Sequence, residues 1–154
     1  MHTDDGPWLT DEQQRVWRQW LAANAEMTAA LGRALQQDCG LSLPDFHVLV
    51  RLSETPDGRV RIVELADEMQ WERSRLSHHL TRMEHRDLIE RRDCPDDRRG
   101  AFAELTPHGR SLVEQAAPGH ATLVRSLLFD DLSATDLRAV DRVTQSLLDR
   151  LPAR

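Results

Sequence analysis

Residues 73–110 read RSRLSHHLTRMEHRDLIERRDCPDDRRGAFAELTPHGR, and this stretch decides the fold. A helical pattern comes first, followed by two short runs suited to β-strands, at residues 89–94 and 101–106. The intervening residues 95–100, PDDRRG, contain the Pro, Asp and Gly that favour a hairpin turn. The sequence therefore predicts a helix that leads directly into a β-hairpin.

The helical part of this stretch has two chemically different faces. At 100° per residue, Leu76, Leu80 and Met83 share one arc, so we expect them to face the core. The opposite arc contains hydroxyls, imidazoles and guanidiniums and no acid: Ser74, His78, Thr81, Arg82 and His85, with Arg75 at its edge. Such groups bind base edges or phosphates in a major groove, although a plain solvated face has the same composition.

The neighbouring elements favour the DNA-binding interpretation. A short helical pattern at residues 63–69 precedes the polar helix, and the connector 70–72 separates the two, which is the outline of a helix-turn-helix. With the hairpin behind it, the arrangement is a winged helix. Arg98 and Arg99 at the hairpin tip suit a narrow minor groove, and an adjacent aspartate can brace one of them.

The rest of the chain predicts long helices at both ends. A capping box at Thr10 begins a helix that ends near residues 39–40, and Ser42 caps a shorter second helix. Thr106 begins another helix, with a kink expected at Pro118, and Ser133 caps the last one. The fold class is mainly α with a small antiparallel β wing.

Apolar stripes on the outer helices exceed what the small middle module can cover, so burial against a second copy is expected. We predict one domain, residues 1–154, in which residues 8–40 and 107–154 form dimerisation helices. Residues 42–106 then form a winged helix-turn-helix DNA-binding module. Phe46 and His47 of its first helix, with Trp17 and Trp20, are the candidate lining of an effector pocket, although aromatic residues at helical spacing are more often core.

The charge distribution points to an anionic partner. The chain has a formal charge of -6, but residues 70–110 contain nine Arg against eight acidic residues, a net +1 that leaves -7 for the remainder. Every basic residue of the chain is Arg.

Several function classes lack support in the sequence. The histidines lack the CxxC or HExxH spacing of a metal site, and there is no nucleophile elbow or phosphate-binding glycine loop, so we expect no metal, no cofactor and no enzyme. The acidic N-terminus lacks an apolar leader pattern and the longest apolar runs are short, which predicts a cytoplasmic protein without a membrane partner.

The same residues carry a resemblance. LADEM, the polar helix, the wing block DDRRG and the following LTPHGR resemble the MarR (multiple antibiotic resistance regulator) family of winged-helix transcription factors. The resemblance extends in helix order over nearly the whole chain. It implies a homodimer, held by its terminal helices, that binds a palindromic operator in double-stranded DNA, most simply as a repressor.

The family pattern also implies which residues touch DNA. On the recognition helix these are Arg73, Ser74, Arg75, Ser77, His78 and Arg82, and on the wing they are Asp97, Arg98 and Arg99. Arg75 and Arg82 are predicted to contact bases or phosphates, and Arg99 to enter the minor groove.

Two positions depart from the family pattern, and two alternatives remain open. Asp87 stands where relatives often have Gly, and Glu72 where Ser or Asp would cap the recognition helix better. A winged helix used only for protein interaction would keep the fold but would not need the wing arginines. In a redox-sensing regulator, Cys94 would be the reactive thiol. Four arginines near it in sequence favour the thiolate and three aspartates oppose them: Arg91, Arg92, Arg98 and Arg99, against Asp93, Asp96 and Asp97.

Overall fold

The computed structural model describes residues 8–94 and 97–152, and for residues 97–99 it describes the backbone alone. Within those ranges the chain forms six α-helices, three β-strands and one π-helical turn. In chain order they are α1 (Asp11–Cys39), α2 (Leu43–Ser53), β1 (Arg59–Arg61), α3 (Ile62–Glu68), α4 (Arg73–His85), β2 (Ile89–Cys94), β3 (Asp97–Leu105), α5 (Pro107–Val124), the π-helical turn (Arg125–Phe129) and α6 (Ala134–Arg150). The predicted fold class, mainly α with a small antiparallel sheet, is confirmed.

The helix starts follow the predicted caps. Thr10, Ser42 and Ser133 each form a complete capping box, in which the hydroxyl accepts from the backbone N–H three residues on. Thr106 accepts from the N–H of Gly109 and also donates to the carbonyl of Asp87, so that it joins the start of α5 to the loop before β2. Helix α5 continues through Pro118 to Val124, and the irregular π-helical turn follows it.

The sheet has the strand order β1-β3-β2, with antiparallel pairs throughout. The prediction placed the start of the second hairpin strand at residue 101, whereas β3 begins at Asp97. Asp93 pairs with Ala101, but the next residue, Cys94, pairs with Asp97. Three residues of β3 therefore bulge out between these two pairs, so Arg98 and Arg99 belong to an irregular strand rather than to the turn itself.

The core lies inside the middle module. Leu76, Leu80 and Met83 of α4 are fully buried, as the helical periodicity predicted. They pack in one cluster with apolar residues of α2, β2 and β3, including Val48, Leu49, Leu52, Ile89 and Ala103. This cluster fixes α4 from behind and leaves its polar face outward.

The terminal helices are covered very differently. Leu35 of α1 and Val113 of α5 join the core, so the middle of the molecule holds these helices. Over Ala134–Arg150 no residue of α6 is buried. Large apolar side chains at both ends of the chain stand open in a single copy: Trp8, Leu9, Val16, Trp17, Trp20, Leu21, Leu127, Leu128, Phe129, Leu137, Val143, Leu147, Leu148 and Leu151.

Candidate nucleic-acid interface

Helix α4 presents the predicted polar face to solvent. The side chains of its six predicted DNA contacts are all exposed: Arg73, Ser74, Arg75, Ser77, His78 and Arg82. Glu72 precedes the helix and makes no side-chain capping bond, as its residue type suggested. The first turn contains no acid, and Arg73 and Arg75 add positive charge to a helix end that already favours anions.

The turn before α4 orients Arg75. Gln70 has a positive φ of 56°, which no residue signal indicated, and the backbone N–H of Trp71 donates to the carbonyl of Ala66 at 3.0 Å. The half-buried Trp71 ring packs against the core, and the guanidinium of Arg75 lies 4.0 Å from the centre of that ring. This cation–π contact holds one face of the guanidinium while its edge stays available for hydrogen bonds.

A buried polar cluster behind α4 was not predicted. The Asp45 and His79 side chains are 4% and 7% exposed, and His79 Nε2 lies 3.1 Å from Asp45 Oδ1 with its N–H directed to the side of that oxygen. Arg86 donates to Asp45 Oδ2 at 2.8 Å and to the carbonyl of Gly40 at 2.7 Å. His79 lies on the buried side of the helix, a position that the periodicity could have identified but that we left unassigned.

The hydrogen bonds of Asp45 determine its charge. Burial alone would raise the pKa of this carboxyl, but the close contact with His79 and the hydrogen bonds from Ser42 and Arg86 outweigh burial and hold the pKa well below its usual range. Asp45 is therefore an anion that links α2 to α4.

Arg91 joins the root of the wing to α4. Its guanidinium donates to the carbonyl of Ser77 and, at 2.9 Å, to the hydroxyl of Thr81. Its backbone N–H donates to Glu84 Oε1 at 3.1 Å. The first strand of the hairpin is thus fastened to the helix along two of its turns.

The wing begins at Asp87, whose φ of 56° lies in the left-handed region that glycine adopts most easily. The bracing acid Asp97 and the two wing arginines, Arg98 and Arg99, have described backbone positions in β3, but their side chains lie outside the described residues. The candidate interface therefore consists of the outer face of α4 and a hairpin that leaves the same end of the module.

Comparison with known proteins identifies the family. The MarR family profile matches residues 41–100, the segment that contains α4, β2 and the start of β3. A crystal structure of Sco3205, a MarR family transcriptional regulator from Streptomyces coelicolor in complex with DNA, matches the fold with a TM-score of 0.92. It is 37% identical to this chain, and the match covers 98% of this chain and 94% of that one. The chain belongs to the MarR family.

Other MarR-type proteins are also similar. AbsC, a MarR family transcriptional regulator from Streptomyces coelicolor, is 39% identical with a TM-score of 0.88, over 94% of this chain and 97% of that one. The HTH-type transcriptional repressor YetL of Bacillus subtilis is 28% identical over 58% of this chain and 53% of its own length. The match thus spans about half the length of that curated relative.

In this MarR-family chain the four predicted effector-pocket residues lie in two separate places. Trp17 and Trp20 line an apolar groove of about 980 Å³ between the first half of α1 and α6. Phe46 and His47 line a different cavity, of about 520 Å³, with His120 of α5. The two sites are separate because α2 lies at the opposite end of α1 from the two tryptophans.

The second cavity contains two histidines that favour the neutral form. Burial lowers the pKa of His47. Burial also lowers the pKa of His120, and the neighbouring His47 lowers it further. The Phe46 ring stacks on the His120 ring with 4.5 Å between centroids. Effector binding by these residues stays a prediction.

The two thiols of the family member differ in surroundings. Cys94 is buried, and its Sγ lies 3.3 Å from an Arg61 nitrogen. Cys39 is partly exposed, and burial, followed by the charge of Asp38, raises the pKa of its thiol. Both are free cysteines.

The described ranges contain neither a metal-ligand cluster nor a membrane-spanning helix. Among residues 8–94 and 97–152, no three His, Cys, Asp or Glu side chains come together as a metal site would require. No helix in these ranges is both long and apolar enough to cross a membrane.

Proposed function

We propose that this MarR-family protein is a sequence-specific transcriptional regulator, a repressor, that binds a pseudo-palindromic operator in double-stranded DNA as a homodimer. The observation that carries the proposal is the face of α4, where six hydrogen-bonding side chains point outward from a helix whose other side is locked in the core. A relative 37% identical to this chain has been crystallised in complex with DNA.

Each part of the interface has a chemical role. Arg75 and Arg82 supply planar donors for guanine edges or phosphates, and Arg73 lies at the helix start where phosphate is favoured. Ser74, Ser77 and His78 supply hydrogen bonds that adapt to different bases. On the wing, Arg99 enters the minor groove beside Arg98, with Asp97 as its brace.

Homodimerisation is supported by the open apolar faces. Trp17 and Trp20 are 51% and 50% exposed in a single chain, and Val143 and Leu147 of α6 face the same groove at 57% and 49%. Exposed patches of this extent mark an interface. A second copy covers them, with residues 8–40 and 107–154 as the dimerisation helices and residues 42–106 as the DNA-binding module.

Two-fold symmetry sets the form of the operator. Two copies of α4 enter major grooves on one side of the duplex, about one helical turn or roughly 34 Å apart. Repression follows when such an operator overlaps a promoter. A small-molecule effector, held near Phe46 and His47, would change the relative position of the two modules.

Selection of bound fragments from genomic DNA, followed by footprinting, tests the function. The protein is expected to protect a two-fold symmetric site, with an affinity that falls steeply as salt rises because several phosphates are neutralised. The double change Arg98→Ala with Arg99→Ala should weaken binding by at least about tenfold.

Arg15→Ala with Arg138→Ala is the matched control, since it removes the same charge from exposed positions outside the DNA-binding module, and light scattering must show that it dimerises like the parent. If the wing variant and this control bound equally well, or if binding did not depend on salt, the proposal would fail. The rival assignment, a winged helix used only for protein interaction, predicts that no DNA fragment is enriched.

A further inference from the structure

We propose that His79 is a positioning residue for DNA binding: it holds the guanidinium of Arg82 on the outer edge of α4 and is itself held from behind by Asp45. This inference rests on the proposed function, because it assumes that Arg82 reaches the DNA. His79 is buried and faces the core, whereas Arg82, three residues later, is exposed. The two residues connect the inside of the module to its binding face.

The contact between them fixes the protonation of His79. An Arg82 nitrogen lies 3.1 Å from His79 Nδ1, and a guanidinium can only donate. Nδ1 therefore accepts and carries no proton, so the proton of the neutral ring is on Nε2. That nitrogen lies 3.1 Å from Asp45 Oδ1, where its N–H can interact favourably with the carboxylate.

Asp45 is held more firmly than a surface carboxylate would be. One oxygen, Oδ2, accepts from the backbone N–H of Ser42 at 2.9 Å and from Arg86 at 2.8 Å. Arg86 in turn donates to the carbonyl of Gly40, where α1 ends. The chain of contacts runs from the end of α1 through Asp45 and His79 to Arg82.

A held arginine binds better than a free one. Arginine loses considerable side-chain entropy when a ligand immobilises it, and a contact that already restricts it lowers that cost. The bond to Nδ1 uses one guanidinium nitrogen, while Arg82 remains exposed. Loss of the acceptor should therefore weaken DNA binding without loss of the fold.

Two amide substitutions separate the two nitrogens of His79. His79→Gln can place an N–H near the position of Nε2, where it donates to Asp45, but its amide oxygen then lies away from the position of Nδ1 and is not placed to accept from Arg82. His79→Asn can place an oxygen near the position of Nδ1, where it accepts from Arg82, but it does not reach Asp45. Each variant is measured for operator affinity and thermal unfolding, alone and combined with Arg82→Ala.

The expected result is a split between affinity and stability. His79→Gln should lose about tenfold in operator affinity, which is the scale of one hydrogen bond to a charged group. Added to Arg82→Ala, the same change should cause no further loss of affinity. His79→Asn should bind more tightly than His79→Gln although it unfolds at a lower temperature. The inference is overturned if His79→Gln binds like the parent, or if its loss persists at full size in the Arg82→Ala background.

Ring-nitrogen chemical shifts of His79, recorded by NMR on the DNA-free protein, separate this inference from the proposed function. They should show a bare Nδ1 and a protonated Nε2, and the Nδ1 resonance should move on Arg82→Ala. A protonated Nδ1 would overturn the inference whatever the protein binds. If the shifts were as expected but the protein bound no DNA, the contact between His79 and Arg82 would stand and the proposed function would be rejected.

Discussion

Asp45 does three things at one position. It completes the capping box of α2, holds Arg86 against the end of α1 and faces His79 of α4. A carboxylate with 3% exposure is stable as an anion only because these partners surround it. From the sequence alone it was only the acid three residues after the capping Ser42.

Removal of this carboxylate should destabilise the protein. Asp45→Ala leaves Arg86 and the buried His79 without their partner, and the free energy of unfolding should fall by about 3 kcal/mol. Chemical denaturation at neutral pH measures it. Asp136→Ala is the matched control, because Asp136 occupies the same capping-box position in the exposed α6 and its loss should cost clearly less stability. Equal losses would contradict the role of the buried cluster.

The low pKa of Asp45 also predicts an acid transition. Its folded-state pKa lies below the unfolded value, so the unfolded chain takes up the proton first and stability falls as the pH falls. The contribution should be complete above a pH of about 4, near the unfolded pKa, and should be lost progressively below it. Unfolding curves from pH 5 to pH 2 should show a weaker pH dependence for Asp45→Asn than for the parent.

Gly109 is required because no Cβ fits at this position, not because of its φ. A Cβ at this position would overlap the carbonyl oxygen of Leu88, where α5 crosses the loop before β2. Gly109→Ala should lower the free energy of unfolding by about 2 kcal/mol or more. In contrast, a Cβ at Gly32, within α1, meets no atom within 4 Å, so Gly32→Ala should leave stability unchanged or raise it by about 0.5 kcal/mol. A calorimetric scan of both variants decides this.

At the level of elements, the wing and the recognition helix form one unit because Arg91 joins them. Its guanidinium reaches Ser77 and Thr81, on the stretch of α4 that carries the outward face. Arg92, the next residue, points away from α4 and pairs with Glu90 at 2.6 Å. Two adjacent arginines with the same sequence context thus have different structural roles.

Arg91→Met should weaken operator binding by about tenfold, because the hairpin loses its attachment while the aliphatic volume remains. Arg92→Met is the control and should bind within about twofold, since it loses only exposed ion pairs with Glu90 and Glu104. Fluorescence anisotropy with a labelled operator measures both variants. The opposite order of affinities would show that the outer face of the sheet, rather than the attachment, contributes to binding.

The helices could be predicted because their signals are local. Capping boxes and apolar periodicity lie within a few residues of the structure they specify, and all four predicted caps are present. The contacts of Asp45 with Arg86 and of Arg91 with Ser77 span 41 and 14 residues, and no pattern in one sequence indicates them. The start of β3 was wrong for a similar reason, since strand pairing, not residue type, determined it.

For the whole molecule, the exposed apolar surface predicts the oligomeric state. Val143 faces the groove between α1 and α6 and is 57% exposed in one chain. Val143→Glu should shift the protein toward monomer, because it places a charge where the partner would pack. Size-exclusion chromatography with light scattering measures the change.

Gln145→Glu adds the same charge to the same helix, at a position outside that groove, and should remain dimeric. If both variants were monomeric, the charge on α6, rather than its apolar stripe, would govern assembly. A dimeric Val143→Glu would place the interface elsewhere.

The attachment through Arg91 makes recognition depend on the spacing between DNA grooves as well as on the chemistry of the base edges. Because α4 and the hairpin are joined at their base, the distance between them is fixed. The gap between a major groove and its neighbouring minor groove varies with DNA sequence and stiffness. A duplex could present every matching base edge and still have the wrong groove spacing, so that it would contact the helix or the hairpin but not both. Bases that no side chain touches would therefore still decide where this protein binds.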